Sequence, residues 1–181
     1  MAERFDWNDG VPWSERFEDI YYSRSDGLAE SRYVFLQGNR VSERWQKKSI
    51  FRINETGFGT GLNFLVTWQL WRETRTRDSW LYFESIEGFP LGREQLKLIH
   101  QEWKELKALS KMLLAAKHSS SKLLPDWQEW PEERITLRLH HAEVLPALSV
   151  MQSNQVDEWF LDGFSPKKNP EMWTRDVLRE V

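Results

Sequence analysis

The stretch from Ser49 to Leu65 constrains the fold more than any other part of the chain. Ile50, Phe51 and Ile53 supply the β-branched and aromatic residues of a buried strand. Gly57, Gly59 and Gly61 then alternate with Phe58 and Thr60, leaving room for backbone to approach a ligand closely. Leu62, Leu65, Val66, Leu70 and Trp71, with Phe64 and Trp68 on an adjoining face, continue as a largely buried helix. Strand, glycine turn and helix in that order offer a ligand free N–H groups and the favourable end of a helix dipole. A tight strand–helix turn that binds nothing has the same local pattern, so the turn alone does not assign a ligand.

The spacing argues against a nicotinamide cofactor. That fingerprint requires a third glycine three residues after the second, where this chain has Leu62. Glu55 closes the strand two residues before Gly57, and acid-x-Gly-x-Gly-x-Gly is the first motif of S-adenosylmethionine-dependent methyltransferases. S-adenosylmethionine has no pyrophosphate but carries a sulfonium and an ammonium group. A carboxylate near the turn favours those cations, whereas it would repel the phosphates of a dinucleotide.

The rest of the chain fits a parallel α/β sheet. Trp80 to Glu87 reads as a second strand ending in an acid, suited to the two ribose hydroxyls of a nucleoside. Glu84 is the rival acid, but it lies inside the strand. Leu96, Ile99, Trp103, Leu106, Leu109 and Leu113 repeat at helical spacing. Residues 117–122 read as a polar surface loop, and Trp127, Trp130 and Pro131 as irregular chain. Ile135 to His140 alternates as a third strand, and His140-His141 as its edge. A helix follows from Val144 to Met151, then a fourth strand from Asp157 to Asp162 and a helix from Asn169 through Leu178. This is βαβα alternation.

Ahead of it, residues 4–22 form a small β appendage, with Asp9-Gly10 as a hairpin turn and Phe17–Tyr22 as a return strand. Gly27 to Leu36 reads as a helix stopped at Gly38-Asn39. This aromatic-rich segment either covers a site as a lid or caps the core. We expect an N-terminal β-hairpin and helix appendage over 1–45 and a core over 46–181, together one domain.

Composition narrows the function classes. The 181 residues suffice for one sizeable core. The absence of Cys excludes disulfides, Cys-zinc sites and Cys nucleophiles. No apolar run reaches membrane-spanning length, and Glu3, Arg4 and Asp6 break any signal-peptide pattern, which fits a cytoplasmic protein. Net charge is −3, so contact with nucleic acid requires a local basic patch. Eleven Trp residues point to a core and clefts filled with large flat side chains. His100, His118, His140 and His141 lack metal-ligand spacing, so no metal site is expected.

A second informative constellation is Asp162-Gly163-Phe164-Ser165-Pro166. It sets an acid at the carboxyl end of a buried strand, where open α/β sheets bind ligands. Such an acid accepts a hydrogen bond from an amine, and the neighbouring aromatic stacks a base or faces a cation. A strand-ending turn with a capping Asp is the plainer alternative.

Glu55 to Phe64 together with Phe160 to Trp173 resembles the methyltransferase half of the MnmC family, bifunctional proteins of tRNA 5-methylaminomethyl-2-thiouridine biosynthesis. Asp19 to Ser23, Gly27-Leu28, Arg32 to Leu36 and Glu87 to Leu91 support the match, which runs from about Phe5 to Val181. The resemblance implies a Rossmann-like class I methyltransferase that moves a methyl group from S-adenosylmethionine to the aminomethyl group of a wobble uridine in tRNA. It implies cofactor contacts from Glu55, Gly57, Phe58, Gly59, Gly61 and Asn63 at the turn, from Glu87 at the ribose and from Glu143 at the adenine. There the family usually has Gly-Asp, and Ala142-Glu143 departs from it. Asp162 becomes the amine-orienting acid and Phe164 its aromatic partner, while Pro166, Lys168 and Tyr21 meet the substrate.

The family's fold continues past position 181, so we expect an incomplete sheet at the C-terminal end and a less stable chain. A flavin-dependent oxidase, fused or separate, is the expected partner activity, with no flavin in this chain. A cofactor-binding remnant without activity stays open as the alternative.

Overall fold

The computed structural model describes residues 3–116, 126–151 and 155–181. The polar loop read at 117–122 lies outside them. Strands β1 (Phe5–Asn8) and β2 (Val11–Ser14) form a hairpin, with Asp9 and Gly10 both at positive φ in its turn. The return strand, β3 (Asp19–Ile20), is only two residues long and pairs antiparallel with β2. Helix α1 (Gly27–Ser31) starts from Asp26, whose carboxylate accepts the Ala29 N–H. It widens into a π-helical turn over Arg32–Gln37, and the short α2 (Val41–Trp45) follows.

The main sheet begins with β4 (Ile50–Glu55), which leads through the glycine turn into α3 (Leu62–Thr74). Then come β5 (Trp80–Ile86), α4 (Arg93–His100), α5 (Lys107–Leu114), β6 (Trp127–Trp130), β7 (Ile135–His140), α6 (Val144–Leu148), β8 (Glu158–Phe160) and α7 (Arg175–Glu180). Among the described residues the sheet order is β6-β7-β5-β4-β8. The four strands β7, β5, β4 and β8 run parallel, so Glu55, Ile86, His140 and Phe160 end on one edge. The order reverses at β4, whose two neighbours are β5 and β8. That is the switch point where open α/β sheets place their ligands.

Four local expectations need correction. Trp127 to Trp130 is not irregular: it pairs antiparallel with β7 as a fifth strand. Pro131, which cannot donate to a ladder, falls just after it. The helix read from Leu96 to Leu113 is broken between α4 and α5, where Trp103 leaves helical geometry. The fourth strand is limited to three residues, because Leu161 and Asp162 bend toward the β4 turn. The last helix divides at Thr174, whose hydroxyl caps α7 by accepting the Val177 N–H.

The aromatic residues explain the core. Trp45, Trp68, Trp71, Phe51, Phe64 and Phe83 are fully buried. Trp68 lies 4.4 Å from Trp130, centroid to centroid, so the edge strand is held by aromatic packing as well as by its ladder. Phe5, Tyr21, Tyr22 and Phe35 of the N-terminal segment pack on the same cluster.

Candidate functional site

A cleft of about 750 Å³ opens at the carboxyl edge of the sheet, within the range typical of small-molecule sites. The glycine turn forms its floor. A side chain on Gly57 would place Cβ 2.9 Å from the carbonyl oxygen of Asp162, so the turns after β4 and β8 touch only because this residue has none. Thr56 ties the same two turns: its hydroxyl donates to the Asp162 carbonyl at 2.7 Å and accepts the Asp162 N–H at 3.0 Å. Gly59 has φ near +52°, a left-handed conformation that suits glycine. Below the turn, buried His100 receives the Ser110 hydroxyl hydrogen at Nδ1 (2.9 Å) and donates from Nε2 to the Thr60 carbonyl at 2.8 Å. Burial pushes its pKa down to about 4, so it is a neutral strut.

Glu87 stands one residue beyond β5 and lines the cleft. Its two carboxylate oxygens accept the N–H groups of Gly59 (2.7 Å) and Phe89 (2.8 Å), which brings two loops together and leaves each oxygen a second lone pair. Burial pushes this carboxyl above the usual range, against the lowering effect of the two backbone N–H groups. Its rival Glu84 points elsewhere, accepting from His140 at 2.5 Å and pairing with Arg138 at 3.3 Å. Neither it nor its partners line the cleft.

Asp162 lies at the junction of the β8 turn and the cleft wall. Its Oδ1 accepts the Gly163 N–H at 2.8 Å and its Oδ2 accepts from Asn63 at 2.6 Å. Desolvation raises its pKa against those two hydrogen bonds, with the charge of Glu30 adding to the rise. Above it, Phe164 stacks on Phe17 at 4.6 Å and meets Tyr21 edge-on at 5.0 Å. Phe17 in turn meets Phe89, over which Arg16 is placed. Burial, with help from the charge of Glu87, drives the Tyr21 hydroxyl pKa upward, so this tyrosine stays neutral.

Of the residues singled out in the sequence, the structure gathers Tyr21, Gly57, Phe58, Gly59, Asn63, Glu87, Glu143, Asp162 and Phe164 around this cleft. Four lie outside its lining. Glu55 is buried behind Asn63, Gly61 packs beneath the Phe58 ring, Pro166 is exposed, and Lys168 is exposed and paired with Glu18 at 3.2 Å. Sequence reasoning missed Glu30, Phe17 and Met172, which line the cleft from distant segments. The only available signal was an unabsorbed acid or aromatic in a segment suspected of covering a site.

The charge of the lining is one-sided. Glu30, Glu87, Glu143, Asp162 and Glu171 line the cleft, and no Lys, Arg or His does among the described residues. Such a surface repels phosphate and favours a cation. No group of three or more His, Asp or Glu among the described residues is arranged to hold a metal ion. Nor is any of their helices long and apolar enough to cross a membrane.

Residues 102–181 match a family model described as S-adenosyl-L-methionine-dependent methyltransferase. The chain is similar to two proteins named tRNA 5-methylaminomethyl-2-thiouridine biosynthesis bifunctional protein MnmC. The one from Methylobacillus flagellatus is 46% identical over 172 residues, 93% of this chain and 26% of that protein. The one from Hahella chejuensis is 43% identical over 176 residues, 95% of this chain and 28% of that protein. The chain therefore spans about a quarter of the length of these relatives. Among solved structures it resembles MNMC2 from Aquifex aeolicus, with a TM-score of 0.70 and 24% identity, over 99% of this chain and 55% of that one. That likeness speaks to the fold alone.

Proposed function

We propose that the chain is an S-adenosyl-L-methionine-dependent methyltransferase and that it methylates an aliphatic amine, the aminomethyl group on the wobble uridine of tRNA. The observation that carries this reading is the acidic, cation-free lining of the cleft. S-adenosylmethionine brings two positive groups and no phosphate, and the acceptor amine is itself cationic before it reacts. A dinucleotide would bring its pyrophosphate against Glu87, which the lining disfavours.

The residues present fit the cofactor. Glu87 has lone pairs free and would hold ribose hydroxyls, Gly57, Phe58 and Gly59 form a cradle without bulky side chains at the glycines, and Glu143, which lines the same cleft, would meet the adenine. The uncapped N-terminus of α3 lies beside them, with Gly61 as its N-cap. When bound, S-adenosylmethionine supplies an activated methyl group. Asp162 accepts an N–H of the acceptor amine and aims its lone pair into the cleft. Phe17, Tyr21 and Phe164 exclude water there, and this desolvation opposes the pull of the acidic lining toward the ammonium form and favours the neutral, reactive amine.

Only the base and its aminomethyl arm enter this cleft, because no Lys, Arg or His among the described residues lines it. In this reading the tRNA backbone stays outside, against Pro166 and Lys168, with Lys168 exchanging Glu18 for a phosphate. Residues 1–45 serve as the cover of the site over a core of 46–181, and the cytoplasm is where such a substrate is met. A flavin-dependent oxidase, fused or separate, supplies the second activity implied by the bifunctional relatives.

Titration calorimetry with S-adenosylmethionine, S-adenosylhomocysteine and NAD tests the assignment. The first two should bind and NAD should not. Preferential binding of NAD, or no binding of either sulfur compound to the folded chain, overturns it.

A further inference from the structure

Asn63, the second residue of α3, stands between the cleft and Glu55. Its side chain is enclosed and both hydrogens of its amide nitrogen are spoken for. Oδ1 accepts the Ser31 hydroxyl at 2.5 Å, while Nδ2 lies 2.9 Å from Glu55 Oε1 and 2.6 Å from Asp162 Oδ2. The amide nitrogen has two hydrogens, and each meets a carboxyl oxygen. Turning the amide over would face its carbonyl oxygen to those two acceptors and its N–H groups to the Ser31 hydroxyl, so one orientation is fixed. An amide so occupied has no donor left for a ligand.

We infer that Asn63 is a positioning residue: pinned by Ser31, its amide holds the Asp162 carboxylate at the cleft wall and ties it to Glu55, without touching the cofactor. The inference rests on the reading of Asp162 as the amine acceptor. Asp162 lies in a turn after β8, and the terminal torsion of an aspartate is soft. Asn63 at Oδ2 and the Gly163 N–H at Oδ1 remove that freedom, leaving the remaining lone pairs to face the cleft.

Glu55 is the far anchor of the clamp. It is 1% exposed, accepts from Asn63 at Oε1, and has Ser85 Oγ 2.6 Å from Oε2. Burial first, then the charge of Asp162, push its pKa up to about 8, so near neutrality the carboxyl keeps its proton. The titratable groups facing Glu55 and Asp162 are Glu30 from α1 and Glu87 from the turn after β5.

The test compares the full chain with Ser31→Ala, which frees the amide but keeps it, and Asn63→Leu, which removes it. Three readouts are needed: kcat and KM for methyl transfer to tRNA bearing an aminomethyl wobble uridine, calorimetric affinity for S-adenosylhomocysteine, and the carboxyl ¹³C titration of Asp162. For Asn63→Leu, kcat should fall about ten- to a hundred-fold, the loss expected for one hydrogen bond to a charged group. Ser31→Ala should fall less. In both variants S-adenosylhomocysteine affinity should hold, and the Asp162 midpoint should move up, most in Asn63→Leu, where a bond to its charged form is gone, and less in Ser31→Ala, where that bond is only loosened.

Weakened cofactor affinity with kcat retained would make Asn63 a cofactor ligand and overturn the inference, as would an unmoved Asp162 titration. If Asn63→Leu does not fold, Ser31→Ala decides alone. If the unaltered chain transfers no methyl group, the functional reading falls, and the Asp162 titration still decides the positioning role.

Discussion

Glu55→Gln probes the electrostatics beneath the cleft through stability alone. In the folded chain this carboxyl is lifted from 4.5 to about 8, chiefly by burial and next by the charge of Asp162. Between those limits the folded state keeps a proton that the unfolded chain has released. Stability contributed by the neutral carboxyl is therefore full below about 4.5 and lost as pH climbs through about 8. At about 1.36 kcal/mol per pH unit, the rise from 4.5 to about 8 corresponds to a loss on the order of 5 kcal/mol across that window.

Glutamine keeps the size and the contacts, since its Oε1 accepts from Asn63 and its Nε2 donates to Ser85 Oγ, but it does not titrate. Asp162 and Glu87 are also raised, and their contributions are common to both proteins. Urea unfolding followed at several pH values between about 5 and about 8 should show the unaltered chain losing stability steeply and the glutamine variant staying flatter. Parallel curves over that range would mean that Glu55 is already ionised in the fold, and would refute the argument.

Gly57→Ala should destabilise the chain by about 1–3 kcal/mol in a thermal melt, because the new methyl group meets the Asp162 backbone, which has no rotamer to change. Trp68→Ala, at a fully buried ring between Phe64 and Trp130, should cost about 3–5 kcal/mol by denaturant unfolding. Glu87→Ala should weaken S-adenosylhomocysteine binding by about 1.5–3 kcal/mol in calorimetry, whereas Glu84→Gln, which lies outside the cleft, should leave that binding unaltered.

What could be read from the sequence was what periodicity and local chemistry encode. The strand at Ile50–Glu55, the glycine turn and the helix from Leu62 are local features, and each stands where spacing placed it. Glu87 was preferred to Glu84 because Glu84 lies inside the strand; in the fold Glu87 lines the cleft, whereas Glu84 pairs with His140 and Arg138. The edge strand at Trp127–Trp130 was missed because one face of it is solvated. Its aromatic anchoring depends on Trp68, far away in sequence.

Glu55 was expected against the cofactor, yet it lies behind Asn63. An acid at a strand end has no local signal for which side of the next helix it faces. The clamp on Asn63 joins Ser31, Glu55 and Asp162 from three separate segments, so only the packed fold reveals that both amide hydrogens are used.

The most direct test of the central claim is transfer of a labelled methyl group from S-adenosylmethionine to tRNA bearing an aminomethyl wobble uridine, comparing the full-length protein with its Asp162→Ala variant. Label is expected on the exocyclic amine of that uridine, with a rate lowered about 10²–10⁴-fold by loss of the positioned acceptor while S-adenosylhomocysteine still binds. Full turnover in Asp162→Ala would contradict it, as would label on any other atom of the tRNA.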